Sequence, residues 1–312
     1  MTELTERSTT PTRPAPGLLV WVALGVVYLV WGSTYLGIRV VVRTLPPLGA
    51  MGARFLLAGL LMAAFVRVRG GRGALHAPAA HVRSAVLVGV LLLAGGNGVV
   101  AVAEKTVPSG LAALMVAAMP LWLVLLRTVA RDRPRALTLT GTFVGFAGIA
   151  VLARPGGHGS DVKTWGILLL LLATLSWATG TFLSPRLPMP ASPFLSTSIE
   201  MLAGGVLMLV ASPLLGELRG FSFGHVQASA WWALLYLVFV GSLLAFTAFV
   251  WLAQNAPLSL VSTYAFVNPV VAVFLGWAIL GESLTASIVA GGALAVLGVF
   301  LVVRSERRPA PA

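Results

Sequence analysis

The 312-residue sequence predicts an all-α integral membrane protein, with ten transmembrane helices arranged as two inverted five-helix repeats. Composition is the first reason. Hydrophobic residues make up 58% of the chain and charged residues only 10%, with a mean hydropathy of +0.95; a soluble domain carries about 25% charged residues. Patterning is the second: the apolar residues fall in blocks of about 18 to 25, the length of helix that crosses roughly 30 Å of hydrocarbon. The third is internal repetition, because landmarks in the first half return in the second at a nearly constant spacing.

Residues 1–16 are polar and rich in Pro and Thr, and read as a disordered cytoplasmic tail. Apolar blocks follow at 17–40, 47–66, 84–103, 110–127 and 136–153, then at 164–184, 192–212, 230–252, 259–279 and 285–303. The first block is too long for a signal-peptide core and lacks a convincing cleavage site, so it reads as a retained helix. All ten read as helices, since barrel strands would be about ten residues long and alternate in polarity. Breakers separate them, among them Pro46-Pro47, Pro108-Ser109-Gly110, Asn255-Ala256-Pro257 and Gly281-Glu282-Ser283. The first repeat is thus 17–153, the second 164–303, and 304–312 a second cytoplasmic tail.

Charge sets the orientation. With the N-terminus in the cytoplasm, fourteen Lys and Arg fall in cytoplasmic segments and five in external ones, while Arg39 and Arg54 lie within helices. The positive-inside rule then places both termini in the cytoplasm. It also explains the net charge of +12 without nucleic acid, because the arginines are spread over loops rather than gathered on one face. Nineteen of the 21 basic residues are Arg, and Ala, Gly and Leu abound, which points to a GC-rich bacterial genome and a bacterial inner membrane.

The repetition is specific. Arg54 to Met62 echoes Glu200 to Met208, with Leu56/Leu202, Gly59/Gly205, Leu61/Leu207 and Met62/Met208 identical and the charge reversed in sign. Trp31 to Tyr35 matches Trp177 to Thr181 at the same offset of 146. Pro108 and Pro120 match Pro257 and Pro269 at 149, and Gly141, Gly145 and Gly148 match Gly291, Ala295 and Gly298 at 150. Five helices per half means that the halves insert with opposite topology, the plan of many secondary transporters, whose substrate site lies near the midplane.

The parts of an intramembrane enzyme are missing. His76, His81, His158 and His225 fall in predicted loops, as do the aspartates Asp132 and Asp161, and there is no Cys. A Ser–His dyad, paired aspartates, a metal site and thiol chemistry are therefore not expected. Nor is there a Walker-type loop for ATP. No cofactor is expected; the partners are a small-molecule substrate and membrane lipid, and the small-residue ridges of the fifth and tenth helices read as scaffold or as the seam of a homodimer, not as lining.

Polar groups within apolar blocks mark the candidate site. Trp31 and Tyr35, with Thr34 beside them, share a face of the first helix; Trp177 and Thr181 repeat the arrangement in the sixth, and Tyr264 and Asn268 stand one turn apart in the ninth. Asn97 lies deep in the third. Each amide needs a partner there. Pro120 and Pro269 are candidate hinges, since each frees a carbonyl one turn earlier. Arg54 and Glu200 enter from opposite faces, each about 12 Å deep at about 1.5 Å per residue, and so within about 6 Å of one another in depth across a core of roughly 30 Å. They read either as structural charges or, at Glu200, as substrate or proton handling. Glu104 and Glu282 sit at predicted helix ends, where a carboxylate is cheap.

The stretches YLVWGSTYLGIRV (28–40), PPLGAMGARFLLAG (46–59), GNGVVAVAEKTVPSGLAAL (96–114), STYAFVNPVVAVFLG (262–276) and LGESL (280–284) resemble the EamA branch of the drug/metabolite transporter superfamily, and within it the YedA-like bacterial inner-membrane proteins. The resemblance covers essentially the whole chain. It implies a ten-helix exporter of small metabolites, with a cavity lined by the first, third, fourth, sixth, eighth and ninth helices. Trp31, Tyr35, Asn97, Trp177, Tyr264 and Asn268 become lining candidates by that resemblance, whereas Arg54 and Glu200, on the second and seventh helices, become architecture. The chain departs from many relatives at Arg131-Asp132, where they carry Gly-Glu. The expected function is a secondary transporter that exports small amphipathic metabolites such as amino acids, or hydrophobic drugs, by alternating access. The rival reading is a non-transporting receptor or assembly factor on the same scaffold.

Overall fold

The computed structural model describes residues 17–131, 134–154, 162–256, 258–261 and 263–306, and every regular element among them is helical. The predicted tail 1–16, most of the tail 304–312, and His158, Asp132, Asp161 and Pro257 lie outside the described residues, as do the orientation markers Arg7, Arg13, Arg133, Arg307 and Arg308. The longer helices among the described residues are α1 (Leu18–Val41), α2 (Pro47–Gly70), α3 (Ala79–Ala103), α4 (Ser109–Val129), α5 (Ala136–Leu152), α6 (Thr164–Arg186), α7 (Pro193–Leu214), α8 (Ala228–Leu252), α9 (Tyr264–Leu280) and α10 (Ala286–Glu306), with a single short turn of helix at Leu258–Val261 before α9. Among the described residues, eight helices are long and apolar enough to cross a membrane, and α5 and Val267–Leu280 of α9 are shorter apolar helices. Their outward faces are apolar: Val68 is 83% exposed and Phe143 75%, as a surface solvated by lipid tails requires.

Three helices are not regular throughout. The middle of α3 (Val90–Gly98) and of α8 (Leu237–Leu244) is wound as π-helix, and the two segments begin 147 residues apart. Wide turns of this kind are rare and gather at functional sites. In α4 the chain breaks at Ala117–Ala118, and a new segment starts at Met119 with Pro120 in its first turn. Pro120 was expected to bend a continuous helix. Instead it begins one, a position where its missing N–H costs nothing. Pro269 does lie inside α9. His81, expected in a loop, is in the first turn of α3 because that helix begins at Ala79.

The most extensive helix contacts join α5 to α10 and α2 to α7. Both are close because small residues face each other. In the first pair a Cβ on Gly141 would lie 2.8 Å from the Gly298 carbonyl, and one on Gly148 2.7 Å from the Gly291 carbonyl. In the second, a Cβ on Gly205 would lie 2.6 Å from the Leu56 nitrogen and one on Gly52 3.0 Å from the Gly205 carbonyl, while Ser198 Oγ donates to the Gly59 carbonyl at 3.0 Å. These contacts come in reciprocal sets. Gly52 meets Gly205 as Gly59 meets Ser198, and Gly141 meets Gly298 as Gly148 meets Gly291. The echo seen in the sequence is therefore a pair of segments packed on one another.

At the end of the bundle opposite the start of α1, called distal below, two carboxylates from remote loops cap helices. Glu217 accepts from the Leu48 and Gly49 nitrogens at 3.0 and 3.2 Å, opening α2. Glu282 accepts from the Ser109 and Gly110 nitrogens at 2.7 and 3.0 Å, opening α4. Gly281, in left-handed conformation at φ 67°, ends α9 and turns the chain back for that contact. Both anions satisfy orphan N–H groups and face the positive end of a helix. Replacing either by Ala is expected to cost about 1–2 kcal/mol, measured as a lowered melting temperature of the detergent-purified protein.

Candidate substrate cavity

Where the helices diverge they enclose a cavity of about 390 Å³, within the usual size range of small-molecule sites. Its wall comes from α1, α2, α3, α4, α6, α7, α8 and α9, and none of it from α5 or α10. Trp31, Thr34, Tyr35, Asn97, Trp177, Thr181, Tyr264 and Asn268 all lie on the wall, together with Pro120 and Pro269. Arg54 and Glu200 lie there too, which corrects the expectation that α2 and α7 stay clear of the cavity. Close approach through Gly52, Gly59 and Gly205 draws those two helices in, so the wall includes their charged positions.

The wall is mostly aromatic and apolar. Trp31, Phe249 and Tyr264 form a triangle with ring centroids 5.1 to 5.8 Å apart. Thr34 and Thr181 hydroxyls donate back to the Trp31 and Trp177 carbonyls at 2.6 and 2.9 Å, one turn earlier. The Asn268 amide nitrogen, correctly oriented, donates to the carbonyls of Tyr28 and Tyr264 at 3.2 Å. Its polarity thus serves the join between α1 and α9 next to Pro269. Asn97, on the π-wound stretch of α3, makes no hydrogen bond to any described residue, nor do the Tyr35 and Tyr264 hydroxyls. Those groups remain available to a ligand.

Arg54 and Glu200 do not pair. The Arg54 Nε donates to Ser242 Oγ at 3.0 Å, its Nη1 lies 3.8 Å from Met51 Sδ, and its guanidinium carbon is 4.6 Å from the centre of the Phe55 ring. It is only 5% exposed and has no carboxylate partner among the described residues. Glu200 accepts from Ser196 Oγ at 2.9 Å and from no other described side chain. Because Gly205 packs between Gly52 and Leu56, Arg54 is level with Gly205, and Glu200 sits about five residues along, or about 8 Å at 1.5 Å per residue. The cavity wall thus carries a guanidinium and a carboxyl group that are set apart along the α2–α7 seam.

Two functional candidates were not read from the sequence. Ser242 is one small residue in an apolar block, yet the π-wound part of α8 turns its hydroxyl to Arg54 while it donates to the Leu237 carbonyl at 2.9 Å. Glu104, one residue past the apolar span of α3, was expected at a helix end open to water. It is 0% exposed, and Arg39 of α1 donates to its main-chain carbonyl. Burial pushes its carboxyl well above the usual carboxylate range; Arg39 opposes that shift and Glu282 adds to it.

The chain matches the profile of the EamA-like transporter family over residues 18–154 and again over 164–304. It belongs to that family. It is a membrane transporter. The uncharacterized inner membrane transporter YedA of Escherichia coli K12 is 41% identical over 264 residues, covering 84% of this chain and 83% of that one. The probable amino-acid metabolite efflux pump of Salmonella typhimurium is 26% identical over 89% of this chain and 92% of its own. A solved crystal structure shares the fold, with a TM-score of 0.62 and 20% identity over 92% of this chain and 98% of that one. Each half of this EamA-like chain carries one copy of the family's domain, and the cavity lies among helices from both.

Proposed function

We propose that the protein exports small amphipathic metabolites, amino acids among them, across a bacterial inner membrane by alternating access between two inverted five-helix repeats. One observation carries the substrate class: Arg54 and Glu200 line one cavity, uncompensated by each other, within an otherwise aromatic and apolar wall. A buried guanidinium with spare donors calls for an anion, and a carboxylate with one hydroxyl partner calls for a donor. An amino acid supplies both, its carboxylate toward Arg54 and its ammonium toward Glu200, with an apolar side chain against Trp31 and Tyr264. A hydrophobic drug would fit the aromatic wall but leave Arg54 unanswered. The efflux-pump name carried by the Salmonella relative agrees with the amino-acid reading.

Support for the inverted repeat comes from the reciprocal contacts of α2 with α7 and of α5 with α10, and from π-wound segments at matching places in both halves. Reciprocal contacts are what a pseudo-twofold axis produces. The excess of arginine in one set of loops supports cytoplasmic termini. The chain acts as a carrier and not as an enzyme in this reading, and needs no cofactor; a receptor or assembly role on the same scaffold would leave the two separate charges without a purpose.

Efflux of radiolabelled amino acids from proteoliposomes tests the proposal, and the absence of flux across a panel of amino acids and hydrophobic drugs would sink it. Within an active preparation, Asn97→Ala and Tyr264→Ala are each expected to lower the rate about fivefold or more, the equivalent of one lost hydrogen bond, with normal yields of folded protein. Wild-type rates in both would remove these residues from the site.

A further inference from the structure

The distal end of the cavity closes over a carboxylate. About one turn beyond Ile38, Val100 and Ala113 on the wall lies a sealed layer in which Val41, Ala103, Glu104 and Ser109 are all 0% exposed. Neither carboxylate oxygen of Glu104 has a hydrogen-bond partner among the described residues. Arg39 reaches over from α1, but it donates to the Glu104 main-chain carbonyl and not to the side chain. Glu282, the other carboxylate acting on Glu104, is held by the Ser109 hydroxyl and two main-chain nitrogens at the start of α4. On the cavity side the titratable neighbour is Tyr35, and on its own segment Lys105 is exposed.

Sealed from water and given no donor, an ionised carboxylate is far costlier than the neutral acid. The layer is therefore built for a protonated Glu104. Opening the distal end, as alternating access demands, would wet this side chain and let it ionise. We propose that Glu104 is a proton-binding site: closing the distal end of the cavity requires one proton on its carboxyl, and opening that end returns the proton to the water that enters. This rests on the alternating-access reading above and extends it, because it names a group by which a proton difference across the membrane biases the transport cycle.

The sign follows from counting protons. The closed distal end holds one more proton than the open one, so acid holds it shut and rising pH favours opening. The open-to-closed ratio changes by at most about tenfold per pH unit, between the ordinary carboxylate range and the raised value of the closed state. A neutral replacement removes the dependence and leaves the end able to close.

The chain has no cysteine, so one introduced thiol reports opening. Val107, 0% exposed in the segment joining α3 to α4, is changed to Cys, and its labelling by a charged methanethiosulfonate is timed from pH 5 to 9 in proteoliposomes. The same measurement is made with Glu104→Gln and with Glu104→Met added, so that the thiol's own titration cancels in the ratio. The proposal expects the ratio of labelling rates, carboxyl-bearing protein over either variant, to rise severalfold across this range. A flat ratio overturns it while leaving the transport reading untouched. Loss of folded protein in both variants also overturns it, by showing that the fold needs the ionised carboxylate. Absence of labelling at every pH in all three proteins overturns alternating access itself, and the proton site with it. The measurement needs no substrate, so a failed search for flux does not affect it.

Discussion

Gly298→Val is expected to abolish accumulation of folded protein. At this position a Cβ would fall on the main chain of Gly145 and lie 2.6 Å from the Gly141 carbonyl. Neither obstacle is a side chain that could rotate away, so α5 and α10 would have to separate along their length. Overpacking costs about 1–3 kcal/mol where neighbours can adjust; here the neighbours are two backbones, and the cost should reach or exceed the top of that range. Gly148→Val, on the reciprocal contact, should do the same. Gly25→Ala is the matched control, because nothing lies within 4 Å of its Cβ direction, and it should behave as wild type. Size-exclusion profiles of the detergent-extracted proteins, followed by thermal unfolding, check all three. A monodisperse Gly298→Val protein with an unchanged melting temperature would mean that α5 and α10 are not seamed as described.

Arg54→Met should leave a folded protein that does not transport amino acids. The guanidinium is buried among Met51, Phe55 and Ser242 with no counter-ion among the described residues, so the fold gains little from its charge. Replacing a buried charge by an apolar group of similar length is often neutral or stabilising, and the melting temperature is expected to hold or rise. Losing a charge-assisted hydrogen bond to substrate removes about 1.5–3 kcal/mol, or roughly 10- to 100-fold in rate. Lys at this position keeps the charge but not the planar fork, and should recover only part of the rate. Glu200→Gln should weaken transport of amino acids while sparing folding. If Arg54→Met or Glu200→Gln instead fails to fold, the pair is architecture, as the sequence had suggested, and the substrate orientation proposed above falls with it.

The divergence between those two readings of Arg54 shows where the sequence was informative. Its depth and its tie to Glu200 could be read directly, because a charge in an apolar block stands out and an offset of 146 is a matter of counting. The face it presents could not. In blocks that are apolar all round, periodicity does not distinguish a lipid-facing side from a cavity-facing one, so α2 and α7 were excluded on resemblance alone. The π-wound stretches were hidden for the same reason: Val90–Gly98 and Leu237–Leu244 give no break in hydropathy, yet they turn Asn97 and Ser242 toward the cavity.

The two capping glutamates and Glu104 make the complementary case. All three sit near helix ends, and local pattern treats them alike. Packing separates them, giving Glu217 and Glu282 two main-chain N–H donors each and Glu104 none among the described residues.

The lengths of the helical blocks, the duplication and the membrane environment follow from composition and spacing, since hydrocarbon thickness dictates how many apolar residues must run together. Which small residues meet, and therefore which side chains are left facing a common space, depends on backbones that approach from positions as remote in the chain as Gly59 and Ser198 or Gly141 and Gly298. That approach moved Arg54 and Glu200 from scaffold to cavity wall. Burial and partner choice are properties of the packed bundle, and no single segment carries them.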